Sequence, residues 1–290
     1  MEVEILKTIQ SIACPFLDVL FQIITALGET APAILIVGFL YWCQNKTLGR
    51  RLMFTVGFSA ALNGSVKGLV NRPRPSEADG IRKLRSETAT GSSFPSGHSQ
   101  NISSLLTCLG LWFQKRFFWV LSAVIMLLVG FSRLYLGAHY PTDVLAGLVF
   151  GGLSAVLISV CMDRFAKPGR EAPFMLICAA VFLPFAVYFG FFVSPEIQAL
   201  QNDFFKAYGL LAGIGAGTLL EEHFVRFSTD HISAGKKVLR MLTGLVFLLP
   251  VYILPKMFFP SGVFFAALRY FLVAVGAVCG VPALFGLFHI

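Results

Sequence analysis

The chain alternates between long apolar runs and short polar connections. Apolar runs of roughly the 20 residues needed to cross a bilayer occupy 27–43, 51–71, 97–114, 117–134, 141–162, 173–193, 205–220, 238–256 and 262–287. Each is predicted as a membrane-spanning helix, because in lipid a backbone must satisfy its own hydrogen bonds. The opening run, about 4–26, differs in carrying Asp18 and a Cys14-Pro15 step. An interfacial helix and a tenth span fit it equally. The longest polar stretch, Asn71–Ser96, holds Pro73, Pro75, Gly80, Gly91 and Pro95 and reads as a loop able to close over a site. Met162–Pro173 is the best internal boundary. It separates residues 1–162, which hold most of the chemically suggestive side chains, from further membrane helices at 163–290. The predicted fold class is all-α, a polytopic membrane helical bundle.

Composition agrees. Hydrophobic residues make up 56% of the chain and charged residues only 13%, against about 25% charged in soluble domains. The bilayer is therefore the first partner. The net charge of +8 does not imply nucleic acid, since the aromatic residues lie inside apolar runs and not along a basic stripe. Basic residues gather in alternate connections: Lys46, Arg50 and Arg51; Lys115 and Arg116; Arg164, Lys167 and Arg170; Arg226, Lys236, Lys237 and Arg240. The excess places these loops in the cytoplasm, and the opposite loops toward periplasm, exterior or lumen. The six cysteines include no Cys-x-x-Cys pair and read as small buried hydrophobes.

Three clusters carry the chemistry. The first, Lys67-Gly-Leu-Val-Asn-Arg-Pro-Arg74-Pro75, ends one span. The second, Phe94-Pro95-Ser96-Gly97-His98-Ser99, opens the next. The third, Ser132-Arg133-Leu-Tyr-Leu-Gly-Ala-His139-Tyr-Pro-Thr-Asp143, joins two later spans. Alternating topology brings all three to one membrane face. Lys67, Arg74 and Arg133 at an apolar boundary need an anionic partner, and a phosphoryl group supplies it, with oxygens that suit a guanidinium fork. Ser96 can cap a helix whose first N–H groups face an anion, and Gly97 leaves the approach open. A helix starting near Tyr140–Pro141 puts Asp143 within reach of His139. The carboxylate would hold one imidazole nitrogen as N–H and leave the other as nucleophile, with His98 free to act as general acid.

These motifs resemble those of the phosphatidic acid phosphatase type 2 superfamily, which includes lipid phosphatases, glucose-6-phosphatase and vanadium haloperoxidases. The pattern is Lys, six residues, Arg-Pro; then Pro-Ser-Gly-His; then Ser-Arg, five residues, His, three residues, Asp, and every position is matched. The resemblance implies a six-helix phosphatase core with the site at its outer end, followed here by extra C-terminal transmembrane helices. It implies a phosphohistidine intermediate on His139, with Asp143 orienting it and His98 acting as acid, then as base for water. Lys67, Arg74, Ser96, Gly97 and Arg133 would hold the phosphoryl oxygens. No metal or other cofactor is expected. Leu27-Gly28-Glu29, Tyr41-Trp42 and Leu48-Gly49-Arg50-Arg51 are similar to the sphingosine-1-phosphate phosphatase-like branch, which includes bacterial members. The likeness covers about residues 25–162.

The expected substrate keeps its tail in the bilayer and presents phosphate to an outward pocket of a bacterial cell membrane. Phosphatidate, a sphingoid-base phosphate and a polyprenyl diphosphate all fit. The alternative is a transporter or flippase that binds such a lipid without cleaving it. Binding needs cations, but it needs neither a nucleophile with its orienter nor a separate proton donor.

Other polar residues read more blandly. Arg72 is expected to be a solvated loop cation, and Arg82, Lys83 and Arg85 part of a plain polar loop. Gly209, Gly213 and Gly217 recur every four residues, which suits close helix packing, either in a homodimer or within the fold. Glu221, Glu222, His223, Asp230 and His231 read as a hydrated connector. Glu29 is expected to mark a span boundary, and Arg269 to snorkel.

Overall fold

The computed structural model describes residues 1–85, 91–165 and 171–290; Lys167, Arg170 and part of the Asn71–Ser96 loop lie outside them. The described residues form helices and no strand. Among them, five helices are long and apolar enough to cross a membrane, or six if the bent N-terminal pair is one span. The runs predicted at 27–43, 51–71, 97–114 and 205–220 are also helical. They are α3 (Thr30–Phe39, extended by a π turn to Gln44), α4 (Lys46–Val70), α5 (Gly97–Phe113) and α11 (Asn202–Leu220), and they fall short in length or hydropathy. The reason is visible in α5, where Ser99, Gln100, Ser103, Ser104 and Thr107 are buried. A helix surrounded by protein can carry hydroxyls and amides that a lipid-facing helix cannot.

Residues 1–33 and 62–157 form one compact unit. Its first helices, α1 (Glu2–Gln10) and α2 (Pro15–Ala26), meet at a 120° bend, with Pro15 in the first turn of α2, where no N–H is needed. Phe21 packs on Tyr135 and Leu136, with Ile9, Leu17 and Ile24 around them. Asp18 pairs with both terminal nitrogens of Arg82 and accepts from the Tyr135 hydroxyl at 2.6 Å. Gln10 donates to the Arg82 and Tyr135 carbonyls. Arg82 is thus a tether of the N-terminal hairpin, more than a plain loop charge. The unit is completed by α5, by α6 (Arg116–Tyr135), which packs on α2 and α5, and by α7 (Pro141–Phe165).

Residues 34–61 and 158–290 form the second unit. It contains α8 (Glu171–Ala180), α9 (Leu183–Phe191), α10 (Pro195–Leu200), α11, α12 (Ala234–Phe258), α13 (Val263–Val275) and α14 (Val281–Leu287). The glycine recurrence is used inside the chain. A Cβ at Gly209 or Gly213 would lie 2.0 Å from the Ala267 carbonyl oxygen or 2.5 Å from that of Phe271, so these positions let α11 lie directly against α13. Of the expected hydrated connector, His223, Asp230 and His231 are exposed, but Glu221 and Glu222 belong to an ion-pair cluster. Glu221 is fully buried and pairs with Arg50 at 3.0 Å and Lys46 at 2.6 Å; Arg50 also reaches Glu222 and Glu171. Burial forces this pairing, since a lone interior carboxylate would be far too costly. The Arg269 guanidinium lies over the rings of Tyr252 and Tyr270, at 5.2 and 5.5 Å.

Candidate active site

The residues of all three sequence clusters fall in the first unit. Lys67 lies in the last turn of α4 and donates to the Ser92 carbonyl at 2.8 Å. Arg74 follows in the loop, reaching the carbonyls of Gly91 at 3.0 Å, Ser92 at 3.3 Å and Ala138 at 2.8 Å. Both cations are thereby aimed by main-chain oxygens of the segment that precedes α5. At the start of α5, Ser96 caps the helix: its hydroxyl accepts from the Ser99 N–H and hydroxyl, and its own N–H donates to the Asp143 carbonyl. A Cβ on Gly97 would meet only Asn63 Oδ1, at 3.7 Å, so the approach to this helix start is open.

His139 and Asp143 come together as the spacing predicts, because α7 begins at Pro141. His139 Nδ1 lies 3.6 Å from Asp143 Oδ2, an ion-pair distance and longer than a hydrogen bond. Ser93 stands beside both, its hydroxyl donating to Asp143 Oδ2 at 2.5 Å and lying 3.5 Å from His139 Nδ1. Asp143 also accepts from the Tyr140 N–H and from Arg72, each at 2.8 Å. The opposite nitrogen, His139 Nε2, is 3.1 Å from Arg74 Nη1. Burial, and the charges of Arg74, Arg133 and Lys67, push the His139 imidazole well below its ordinary pKa. It is therefore neutral at pH 7, the form that can attack.

Arg133 is wholly buried. Its Nη1 donates to Thr25 Oγ1 at 2.9 Å, while Nε and Nη2 have no hydrogen-bond partner among the described residues. Two unmatched donors on a buried guanidinium are expensive and call for acceptor oxygens. His98 Nε2 is likewise buried and unpaired, with Glu29 Oε1 at 3.9 Å.

Several contributors carry no recognisable sequence signal. Arg72 is not a solvated cation: it bridges Asp143 and Glu2 and lies over the Tyr140 ring. Glu2 also accepts from the Thr142 N–H and hydroxyl. Thr25 and Glu29 come from the end of α2 and the turn after it. Ser93 could have been suspected only from its place three residues before Ser96. The others lie far along the chain from their partners, from Glu29 and Arg85 to Glu2 and Thr142, beyond any spacing rule.

Residues 48–167 match the PAP2 superfamily, and residues 205–290 match the PAP2 superfamily phosphatase, transmembrane extension. Phosphatidylglycerophosphatase B of Bacillus subtilis (strain 168) is 32% identical over 157 residues, covering 50% of this chain and 74% of that one. Sphingosine-1-phosphate phosphatase 2 of Homo sapiens is 26% identical over 211 residues, covering 71% of this chain and 52% of the human protein. This chain thus spans about half the length of that relative. The crystal structure of a transmembrane PAP2 type phosphatidylglycerolphosphate phosphatase from Bacillus subtilis aligns at a TM-score of 0.50 and 29% identity, covering 56% of this chain and 85% of that one.

Proposed function

Because this chain belongs to the PAP2 superfamily and is a phosphoric ester hydrolase, we propose that it removes phosphate from a lipid monoester or diphosphate through a phosphohistidine on His139. The observation that carries this reading is the buried Arg133 with two unmatched donors, set among Lys67, Arg74 and His139. A tetrahedral anion with several oxygens answers that need.

In the proposed reaction, Arg74, Arg133 and Lys67 take the phosphoryl oxygens, together with the N–H groups at the Gly97 helix start. Nδ1 of His139 faces Asp143 and Ser93 and keeps its proton. Nε2 supplies its lone pair to phosphorus as Arg74 shifts from that nitrogen to a phosphoryl oxygen. The bond from phosphorus to the lipid oxygen breaks, and that oxygen takes its electron pair and a proton from His98. Water then attacks phosphorus and gives its proton to His98. The P–N bond breaks and its electron pair returns to Nε2. Three cations surround the phosphoryl site, and its carboxylate, Asp143, is already committed to three hydrogen-bond donors and to His139, so the charge chemistry proposed here requires no metal. The chain is an integral membrane protein. The proposal further places its site on the periplasmic or exterior side of a bacterial membrane. Phosphatidate, sphingoid-base phosphates and polyprenyl diphosphates are the substrate classes to test.

The test is phosphate release in detergent with chelator present, across those lipids. Wild type should be active, and folded His139→Ala should fall by at least about 10³-fold. Equal activity of the two would sink the nucleophile assignment.

A further inference from the structure

The family match begins at residue 48, yet part of the site's wall comes from the end of α2 and the turn after it. Three contacts hold that segment in place. Thr25 receives Arg133. Asn101, one turn along α5 from His98, donates to the carbonyls of Gly28 and Glu29 at 3.0 and 3.1 Å. Gly28 passes so close to α5 that a Cβ there would lie 3.0 Å from both His98 Cβ and the His98 carbonyl oxygen. This close approach delivers the next residue, Glu29, to the His98 ring. Glu29 Oε1 sits 3.9 Å from His98 Nε2 and 2.6 Å from Arg85 Nη2. Among the described residues, neither Oε1 nor Nε2 makes a well-directed hydrogen bond, although both are buried.

His98 is asked to carry a proton among cations: Arg133, Arg85 and Lys67 all act on its ring. Among the described residues, the carboxylate at ion-pair distance from it is Glu29. A carboxylate on one imidazole nitrogen fixes the ring and stabilises its protonated form, which leaves the other nitrogen to do the chemistry. Building on the acid reading of His98, we infer that Glu29 is the positioning residue of the general acid. It holds Nε2–H of His98, so that the transferable proton leaves from Nδ1, and Arg85 anchors the same Glu29 oxygen. The 3.9 Å gap closes to a hydrogen bond when His98 is protonated for the first half-reaction. The site thus has two His–carboxylate pairs of different construction. His139–Asp143 serves the nucleophile and comes from one local turn. His98–Glu29 serves the acid and is assembled from α5 and the segment after α2.

A general acid matters in proportion to how poor the leaving group is, and this gives a readout that general structural damage would not copy. kcat/KM, which covers steps up to loss of the leaving group, is measured for a short-chain alkyl phosphate and for p-nitrophenyl phosphate. The proteins are wild type, His98→Asn and Glu29→Gln, each checked for folding by gel filtration and thermal unfolding. His98→Asn should lose about 10²–10⁴-fold on the alkyl ester and far less on the nitrophenyl ester. Glu29→Gln should show the same contrast, with a loss of about 10–100-fold on the alkyl ester. If His98→Asn shows the contrast but Glu29→Gln loses equally on both esters, or loses nothing, the assignment of Glu29 is overturned and the acid reading stands. If His98→Asn shows no contrast, the acid reading falls and this inference falls with it. Should Glu29→Gln fail to fold, Glu29→Asp keeps the charge and withdraws it by one methylene. A selective loss on the alkyl ester then supports the assignment, and an equal loss on both esters overturns it.

Discussion

At the scale of single residues, the site depends on which groups are charged before substrate arrives. Burial and three nearby cations hold His139 below its ordinary pKa. An unperturbed histidine titrates near 6.5, so between that value and the lower folded one the unfolded chain binds a proton that the native chain does not. His139 therefore works against stability as pH falls below about 6.5 and is silent above it. With ¹⁵N-histidine labelling, the resonances missing from His139→Asn should report a neutral imidazole in wild type at pH 6. A protonated signal there would contradict the geometry. Ser93 is the matching case for catalysis. Its hydroxyl connects Asp143 to the edge of the His139 ring, so Ser93→Ala should lower kcat about 10-fold, as loss of a supporting hydrogen bond to a reactive histidine does. An unchanged kcat would leave Ser93 as filler. The three motifs made Lys67, Arg74, Ser96, Gly97, His98, Arg133, His139 and Asp143 legible, because each motif is local and its spacing fixes a helix end. Ser93, Arg72 and Glu29 were not legible, because their partners are set by packing between segments.

At the scale of elements, the N-terminal hairpin matters more than its ambiguous pattern suggested. Asp18 and the Cys14-Pro15 step left the opening run open between an interfacial helix and a span; in the structure Asp18 ties α2 to Arg82 and Tyr135. Glu2 of α1 ties the start of α7 to Arg72 through Thr142. The Arg72 guanidinium is in turn one of three hydrogen-bond donors to the Asp143 carboxylate, with His139 at ion-pair distance beside them. Arg72→Gln removes a charge-assisted bond worth about 1.5–3 kcal/mol in stabilising that carboxylate. It should lower kcat about 10-fold with KM changed less, because both terminal nitrogens of Arg72 are engaged by Asp143, Thr142 and Glu2. A rise in KM alone would instead make it a substrate ligand. Glu2→Gln should follow Arg72→Gln in direction, with a smaller loss, because one partner of the bridge survives. The helix read from the sequence at 97–114 is α5, and its polar content has a related reason. Its hydroxyls and amides make it less apolar than a lipid-facing helix, but they are buried against neighbours, where an interior helix can carry them.

At the scale of the whole molecule, the chemical boundary at Met162 and the packing boundary differ, because residues 34–61 cluster with 158–290. Apolar periodicity says that a helix crosses the bilayer but not which neighbours it joins, so this grouping was beyond the sequence. The second unit's principal polar feature is the cluster of Arg50 and Lys46 with Glu171, Glu221 and Glu222. Two cations face three carboxylates, and Arg50 touches all three. Replacing it by Met keeps the volume but leaves one cation for the buried Glu221 and the partly buried Glu171 and Glu222, a change of the kind that costs about 3–5 kcal/mol. The Tm of Arg50→Met in detergent should therefore fall clearly, while kcat/KM per folded molecule stays near wild type, since no proposed catalytic residue lies in this unit. The deficit should also depend on pH. Burial already raises the Glu222 carboxyl above its ordinary pKa, with Glu171 and Glu221 adding to the shift and Arg50 opposing it; removing Arg50 raises it further. A raised carboxyl binds its proton more readily in the native state, so its contribution is fully present below the unfolded value near 4.5 and is lost as pH rises through the folded one. The Tm gap between Arg50→Met and wild type should thus be narrow near pH 5 and wide at pH 8. A gap that does not move with pH would mean that Arg50 serves by shape and packing, with its charge incidental.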